Sequence, residues 1–212
     1  MTQTLYMHDV THAQVNVLKC ERSPDGLFAI ELDQTPFHPQ GGGQPSDVGK
    51  VGGADVKHVF FQDQKIIHHC SAELSLGPVR AEVNVANRHY FSRLHSAGHL
   101  IGHVLQAKGW LPVKAQHWPN DAKVQFVSTA EAQEVDLSMI ETLCHQYIQN
   151  DLARAITQNE AGYRQVSFGD FSAFACGGTH VKSLSEIIQI LITELKLKKG
   201  KLSIKYQVAE AH

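Results

Sequence analysis

The sequence predicts an α+β protein in which a small β-barrel-like domain is followed by a two-layer α/β sandwich with an antiparallel sheet. The first 84 residues contain short apolar or alternating runs separated by turn residues, which is typical of small barrels. From residue 85 the apolar residues recur at helical spacing, and further on the strand pattern returns. Helices followed by an antiparallel meander favour two packed layers. We therefore expect two domains, 1–84 and 85–212.

Four strands are predicted in the N-terminal domain. They are the apolar or alternating segments 15–18, 27–30, 56–60 and 65–68. Turn signals separate these segments at Pro24-Asp25-Gly26, at the glycines of 41–43, at Gly52-Gly53 and at Gly77-Pro78. The last signal predicts a hinge over 76–85 that leads into the second domain.

Two helices and four strands are predicted in the C-terminal domain. The first helix has apolar residues at three- and four-residue steps between Asn87, its N-cap, and Gly109, which follows its end. The second helix is expected over 136–157. The predicted strands are 123–127, 163–166, 187–192 and 201–206, with Lys199-Gly200 as the turn before the last one.

Composition and charge exclude several classes of protein. Apolar residues make up 42% of the chain and charged residues 19%, as in ordinary globular proteins. No apolar run reaches the ~20 residues that cross a bilayer, and the N-terminus lacks a signal-peptide layout. We therefore expect a cytoplasmic protein with no membrane partner. The formal charge of -2 argues against coating of nucleic acid by bulk attraction, but not against a local basic patch.

The four cysteines are not spaced as in a disulfide framework and are interpreted as reduced thiols.

Two pairs of potential metal ligands share a four-residue spacing. His95 and His99 would lie one turn apart on one face of the first helix, whereas Gly177-Gly178 predicts a tight loop between Cys176 and His180. Mixed nitrogen and sulfur ligands favour zinc over hard cations. A closed shell of four ligands is typical of a structural site, while three bound ligands leave a position for water or substrate. The spacing alone leaves both alternatives open.

A single histidine or cysteine usually has a simpler explanation than a metal site. A lone histidine on a helix is most often packed or on the surface, and a lone cysteine is most often a small buried apolar group. We interpret four further histidines in the packed or surface sense: His89, His103, His117 and His145.

Four segments in this order resemble the alanyl-tRNA editing family, which comprises the editing domain of alanyl-tRNA synthetase and the freestanding AlaX proteins. They are DQTPFHP at 33–39, GGGQPSD at 41–47, HSAGHL at 95–100 and CGGTHV at 176–181. The presence of the Gly-Gly-Gln segment together with both ligand pairs is similar to the medium-length AlaX type. The resemblance implies one zinc ion (Zn2+) per chain, bound by His95, His99, Cys176 and His180.

The function that this resemblance implies is trans-editing of tRNA-Ala that carries the wrong amino acid. The chain would be a zinc-dependent aminoacyl-tRNA deacylase acting on Ser-tRNA-Ala, with Gly-tRNA-Ala as a further candidate, and its partner would be the acceptor end of that tRNA. The zinc would either activate a water or hold the amino group or carbonyl of the substrate. A zinc-stabilised tRNA-binding module of the same fold without efficient hydrolysis is the alternative, and a hydrolase of another small ester or amide is a third possibility.

The resemblance also implies that a glycine-rich loop covers the active site. Gly42, Gly43 and Gln44 would contact the substrate there, and Gln44 would act in catalysis by donating to a substrate carbonyl or hydroxyl. Without the resemblance this segment is interpreted as a flexible turn. Gly41 and Gly98 stand where the family often has Ser and where synthetase editing domains commonly have Thr, so two polar contacts are expected to be missing.

Further contacts with substrate and tRNA are expected toward the C-terminus. Gln116 matches a substrate-facing position of the family. A basic stretch near the C-terminus suggests a local patch for tRNA, to which we assign Lys198, Lys199 and Lys201. The alternative is a solvated hairpin edge, where lysines commonly block aggregation. Both interpretations are compatible.

Overall fold

The structure is a computed structural model that describes residues 2–209. Its contacts divide the chain into two compact units, residues 1–90 and 91–212, with the division inside the first long helix. The sheets are mostly antiparallel and two α-helices accompany them. The predicted α+β class is therefore confirmed. Within the described residues, no helix combines the length and the apolar character that are needed to cross a membrane.

The N-terminal unit is built from eight strands. Six of them, each hydrogen-bonded to two antiparallel neighbours, close in the order β2-β3-β7-β6-β5-β8, while β1 pairs with β4 in parallel. The strands are β1 (Gln3–Thr4), β2 (His12–Arg22), β3 (Phe28–Leu32), β4 (Gln34–Thr35), β5 (Gly49–Val51), β6 (Ala54–Gln62), β7 (Lys65–Cys70) and β8 (Gly77–Val83).

All four predicted strands of this unit coincide with observed ones, but the predicted hinge over 76–85 is wrong. Most of this segment forms β8, which pairs with both β2 and β5 and completes the closed sheet. Gly77 and Pro78 are the first residues of this strand and pair with Val17 and Asn16 of β2. Beyond them Ala81 and Val83 point inward and are buried, while Arg80 and Glu82 face solvent. This is the alternation of a half-buried strand.

A buried histidine lies inside the N-terminal unit. His68 Nδ1 donates to the carbonyl oxygen of Ile30 at 3.2 Å, and its Nε2 accepts from the Thr35 hydroxyl at 2.7 Å, while the oxygen of that hydroxyl accepts from the Phe37 amide. Burial lowers the pKa of His68 from 6.5 to about 4. The ring is therefore neutral at pH 7 and serves to satisfy the polar groups around it.

The buried His68 predicts that the unit loses stability in acid. Between about pH 6.5 and 4 the unfolded chain binds a proton that the folded chain does not, so the free energy of unfolding falls as pH falls. We expect His68 to contribute roughly 2–3 kcal/mol of this loss between pH 7 and 4.5. Urea unfolding followed by circular dichroism at both pH values measures it, with His68→Gln as the comparison. Equal losses in the two proteins would assign the acid sensitivity to other groups.

The C-terminal unit contains two sheets. A four-stranded antiparallel sheet has the order β14-β15-β10-β9, and a three-stranded antiparallel sheet has the order β11-β12-β13. The helices and strands are α1 (Val85–Gln106), which begins in the N-terminal unit, β9 (Trp110–Gln116), β10 (Ala122–Ser128), α2 (Leu137–Gln149), β11 (Arg154–Gln158), β12 (Arg164–Phe168), β13 (Phe174–Ala175), β14 (Ile190–Lys198) and β15 (Lys201–Val208).

The second predicted helix begins where expected but is shorter. Asp136 caps α2 by accepting from the Met139 amide at 2.8 Å. The helix ends at Gln149, because Asp151 has a left-handed φ of 49° and the chain then forms β11. The strand predicted over 187–192 begins later, at Ile190, since a 3-10 turn at Leu184–Ile187 precedes it. The remaining predicted strands and the Lys199-Gly200 turn are observed.

Candidate metal centre

The four predicted ligands lie together in the C-terminal unit. His95 and His99 come from one face of α1, and Cys176 and His180 come from the loop that follows β13. One ligand atom from each residue lies within 4.8 Å of the other three. Residues separated by 81 positions in sequence are thus brought within ligand distance by the fold.

Two of the separations between ligand atoms are close to those of a tetrahedral zinc site. Cys176 Sγ is 3.4 Å from His95 Nε2 and 3.2 Å from His180 Nε2. Zn–N bonds of about 2.0–2.1 Å and a Zn–S bond of about 2.3 Å place tetrahedral ligands roughly 3.3–3.6 Å apart. His99 Nδ1 is buried and has no hydrogen-bond partner within residues 2–209, which in native proteins commonly marks a place for a water or an ion. The donor set therefore suits zinc.

Burial sets the protonation of this cluster. It lowers the pKa of His99 to about 3 and that of His180 well below its usual value, so the rings are neutral at pH 7 and retain a lone pair. Burial also raises the pKa of the Cys176 thiol, although the Gly178 amide and the Arg164 guanidinium oppose this. A thiolate forms there when a bound cation replaces the proton.

Two arginines fix the backbone of the loop that carries Cys176 and His180. Arg164 Nη1 donates to the carbonyl oxygens of Cys176 at 2.7 Å and Gly178 at 3.0 Å, and Arg154 Nη1 donates to the carbonyl oxygen of His180 at 2.9 Å. These charge-assisted bonds hold the loop in one conformation. The sequence motif alone gave no indication of either arginine, because both lie on strands well before the loop.

Ser96 orients one of the ligands from the adjacent position on α1. Its Oγ is 3.1 Å from His180 Nδ1 and accepts from the Val181 amide at 3.2 Å. Since Nε2 of His180 faces Cys176, Nδ1 carries the ring proton and donates to this oxygen. Such contacts fix the tautomer and direction of a ligand ring.

Ser96→Ala is expected to weaken zinc binding about 10- to 100-fold while leaving the protein folded. Competition with a chromophoric chelator measures the affinity. Ser92→Ala is the matched control, because the Ser92 hydroxyl is also buried on α1 but pairs with Thr179 Oγ1 at 2.8 Å. Equal losses in both variants would show that contacts between α1 and the ligand loop in general, rather than the Ser96–His180 bond in particular, determine the affinity.

One residue near the ligands was not predicted. His117 is packed, which is one of the two interpretations of this histidine, and its buried ring stacks on His95 with centroids 4.2 Å apart. Its Nδ1 is 2.7 Å from the hydroxyl of Tyr206. Alternation along an extended segment places His117 on the face opposite Gln116, so the assignment of Gln116 to the substrate predicts that His117 faces away from it.

Gln116 itself is tied to the turn between β9 and β10. Its amide nitrogen donates to the carboxylate of Asp121 at 2.6 Å and to the Asp121 carbonyl oxygen at 3.3 Å. Its assignment to the substrate stays a prediction. Lys198, Lys199 and Lys201 are exposed at the hairpin between β14 and β15, as both interpretations of this stretch require.

The glycine-rich loop lies in the N-terminal unit and forms a tight turn. Gly41 and Gln44 exchange backbone hydrogen bonds of 3.2 and 3.0 Å around Gly42 and Gly43, whose φ angles of 57° and 78° favour glycine. The side chain of Gln44 is fully buried. The exposed surface of the turn is therefore made by glycine backbone, and a contact between Gln44 and substrate stays a prediction.

A buried ion pair fastens the end of this loop to the start of α1. Arg88 Nε donates to both carboxylate oxygens of Asp47 at 2.9 Å, and Arg88 Nη2 donates to the carbonyl oxygen of Pro36. Asp47 also accepts from the His38 amide. The pair thus joins both sides of the loop to the first turn of the helix.

Comparisons with known proteins agree with the motifs. The chain is 29% identical to the alanyl-tRNA editing protein AlaX-M of Pyrococcus horikoshii, over 88% of each chain. It is 28% identical to the alanine–tRNA ligase of Haloquadratum walsbyi in an alignment that covers 91% of this chain. It is 30% identical to the alanine–tRNA ligase of Pelotomaculum thermopropionicum in an alignment that covers 74% of this chain. It spans only 24% and 21% of these two ligases.

A family model described as the second additional domain of threonyl and alanyl tRNA synthetases matches residues 163–203. This segment contains Cys176 and His180 and the loop between them. The resemblance to alanyl-tRNA editing proteins that the motifs predict is therefore confirmed.

Proposed function

We propose that this chain, a relative of the alanyl-tRNA editing proteins, is a zinc-dependent deacylase that hydrolyses Ser-tRNA-Ala and, as a further substrate, Gly-tRNA-Ala. The observation that carries the proposal is the cluster of His95, His99, Cys176 and His180 within 4.8 Å, in a chain that aligns with AlaX-M over 88% of both. One zinc ion per chain and a cytoplasmic location belong to the proposal.

The chemistry required is hydrolysis of the ester between an amino acid and the 3′-terminal ribose of tRNA. When bound, a zinc ion supplies Lewis acidity at the carbonyl or lowers the pKa of a water. The residues of the chain have other tasks. Ser96 keeps His180 in one tautomer, and Arg154 and Arg164 hold the ligand loop still. The buried surroundings limit the access of bulk water and strengthen the electrostatic interactions within the site.

Discrimination against correctly charged tRNA has a physical basis. A synthetase pocket built for alanine cannot strongly reject glycine, which is smaller, or serine, which adds one hydroxyl. A second hydrolytic site discriminates further when it offers a hydrogen-bond partner to the serine hydroxyl. Alanine leaves that partner unpaired, at a cost of about 1–3 kcal/mol.

The remaining predicted residues enter the proposal in defined roles. Gln44 and the turn glycines Gly42 and Gly43 would contact the aminoacyl group, a role that requires the buried Gln44 side chain to become accessible to substrate. Gln116 would contribute its amide. The exposed lysines 198, 199 and 201 would contact phosphates near the acceptor end, each adding to the salt dependence of binding.

A deacylation assay with three charged forms of the same tRNA tests the proposal. We expect hydrolysis of Ser-tRNA-Ala well above background, hydrolysis of Gly-tRNA-Ala at a measurable rate, and little hydrolysis of Ala-tRNA-Ala. The protein must be loaded with zinc and used at concentrations well below that of the tRNA, so that turnover is observed. Absence of turnover with all three substrates would reject the deacylase.

That negative result would favour the second candidate, a zinc-stabilised tRNA-binding module. The observation in its favour is that all four potential ligands lie within ligand distance, as in closed structural sites. Such a module would still bind uncharged tRNA-Ala with a salt-dependent affinity. Filter binding at several salt concentrations distinguishes it from a protein that has no tRNA function.

A further inference from the structure

The buried residue His117 lies beside the metal ligands without being one of them. Its ring is nearly parallel to that of His95, with an interplanar angle of 22° and a centroid separation of 4.2 Å, and it is only 2% exposed. Among residues 2–209 the cluster of potential ligand atoms comprises the other four residues alone. His117 is thus close enough to meet a substrate held at the metal centre.

Hydrogen bonding determines which nitrogen of His117 carries the proton. The hydroxyl of Tyr206 donates its single hydrogen to the carbonyl oxygen of Leu94 at 3.0 Å. The same hydroxyl lies 2.7 Å from His117 Nδ1, so Nδ1 must be the donor in this second bond. Burial keeps the hydroxyl protonated by raising the pKa of Tyr206. The hydrogen bonds therefore run in one direction: His117 Nδ1 donates to the Tyr206 hydroxyl, which donates to the carbonyl oxygen of Leu94.

The other nitrogen of His117 is left as an acceptor. A neutral imidazole has a single N–H, and the bond to the Tyr206 hydroxyl places it on Nδ1. Nε2 then offers a lone pair and no hydrogen. No protein group within the described part of the chain forms a hydrogen bond with it. An acceptor that is fixed in direction and lacks a protein donor is suited to a hydroxyl group of a ligand.

Gly98 explains how the ring reaches this position. A Cβ atom at residue 98 would lie 2.4 Å from Cε1 and 2.6 Å from Nδ1 of His117, and 2.7 Å from the hydroxyl of Tyr206. A side chain at position 98 and the observed placement of His117 therefore exclude each other. Glycine within a helix costs about 1 kcal/mol relative to alanine, so its presence between two ligands on α1 has a steric reason.

This geometry changes the interpretation of Gly98. The resemblance to the editing family implies that a polar contact is missing there, because synthetase editing domains commonly have Thr at this position. In the structure the space beside Gly98 is filled by the imidazole of His117 and the hydroxyl of Tyr206. The site retains a polar group at this point, supplied by a different part of the chain.

We infer that His117 is a specificity-determining residue whose Nε2 accepts a hydrogen bond from the side-chain hydroxyl of a seryl group bound at the metal centre. The inference rests on the proposed deacylase function and identifies β-hydroxy aminoacyl esters as the preferred substrate class. Glycyl and alanyl groups have no hydroxyl to donate, so they leave Nε2 unpaired. Tyr206 is a positioning residue, because it acts only through the ring of His117.

His117→Phe tests this role, since it retains a planar ring but removes the acceptor. We expect kcat/KM for Ser-tRNA-Ala to fall roughly 5- to 50-fold while kcat/KM for Gly-tRNA-Ala changes by less than about twofold. Zinc content should remain at one per chain. Tyr206→Phe, which releases His117 Nδ1 but leaves the ring in place, should give a smaller loss of serine preference with the same zinc content.

A binding measurement separates this inference from the proposed function. Calorimetry with amide-linked 3′-seryl and 3′-glycyl aminoadenosine, which cannot be hydrolysed as esters, should show tighter binding of the seryl compound by the wild type. His117→Phe should remove that difference. This outcome supports the inference even for a chain that shows no turnover with charged tRNA.

Three results would overturn the inference. Equal losses on the seryl and glycyl substrates would show that His117 contacts a group common to both, such as the amino group. An unchanged preference for serine in both assays would assign discrimination elsewhere. Loss of zinc from a folded His117→Phe protein, with circular dichroism and melting temperature as in the wild type, would make His117 part of the metal site.

Discussion

Cys176→Ala is expected to abolish both zinc binding and hydrolysis of Ser-tRNA-Ala. Cys176 is the only thiol among the four potential ligands, and its Sγ lies within 3.4 Å of Nε2 of both His95 and His180. Removing it leaves three imidazoles around a gap and takes away the one anionic ligand. We expect zinc affinity to fall by more than the roughly 10- to 100-fold that loss of an outer contact causes. Mass spectrometry after dialysis and initial deacylation rates measure the two effects.

Cys144→Ala is the matched control for this variant. Cys144 is also buried, but it lies on α2 outside the ligand cluster, and burial raises the pKa of its thiol to about 12. It behaves as a small apolar side chain, so zinc content and deacylation should match the wild type. Full zinc occupancy in Cys176→Ala, and equally in His95→Ala and His99→Ala, would contradict the proposed site.

Asp47→Ala is expected to cause the largest loss of stability, about 3–5 kcal/mol in the free energy of unfolding. The Asp47 and Arg88 side chains are 0% and 7% exposed, so removal of the carboxylate leaves an uncompensated guanidinium in the protein interior. The His38 amide loses its acceptor as well. Urea unfolding followed by far-ultraviolet circular dichroism is the measurement. Tryptophan fluorescence would not report on the N-terminal unit, because both tryptophans, Trp110 and Trp118, lie outside residues 1–90.

An exposed ion pair in the same unit provides the control for Asp47→Ala. Arg80 and Glu82 form a bond of 2.8 Å on β8 with side chains that are 63% and 49% exposed. Pairs of this kind contribute about 0–1 kcal/mol. Glu82→Ala should therefore leave the unfolding midpoint almost unchanged. If Asp47→Ala lowers the free energy of unfolding by only this small amount, the Asp47–Arg88 pair does not stabilise the loop.

Features that depend on local sequence could be predicted well. The ligand pairs were recognisable because both members of each pair lie within one helical turn or one loop. Most strands of the N-terminal unit followed from their alternation. The hinge over 76–85 was wrong because Gly77-Pro78 signals a turn at the start of a strand as readily as a break between domains. The second helix is predicted too long because its apolar pattern continues past Asp151.

Features that depend on distant parts of the chain could not be predicted. Asp47 and Arg88 are separated by 41 positions, and His117 and Tyr206 by 89. No periodicity links such residues, and each has an ordinary local explanation as a surface charge or a packed ring. The burial of Gln44 likewise could not be predicted, because a Gly-Gly-Gln segment is compatible both with an exposed turn and with a buried glutamine side chain.

The requirement for the metal in deacylation is tested most directly by removing zinc and restoring it. Initial rates of Ser-tRNA-Ala hydrolysis are measured with the protein as purified, after treatment with a chelator, and after stepwise addition of zinc to the chelated protein. We predict that the rate is lost with the metal and returns in proportion to bound zinc, with saturation at one ion per chain. Undiminished hydrolysis by protein that contains no zinc would contradict the account.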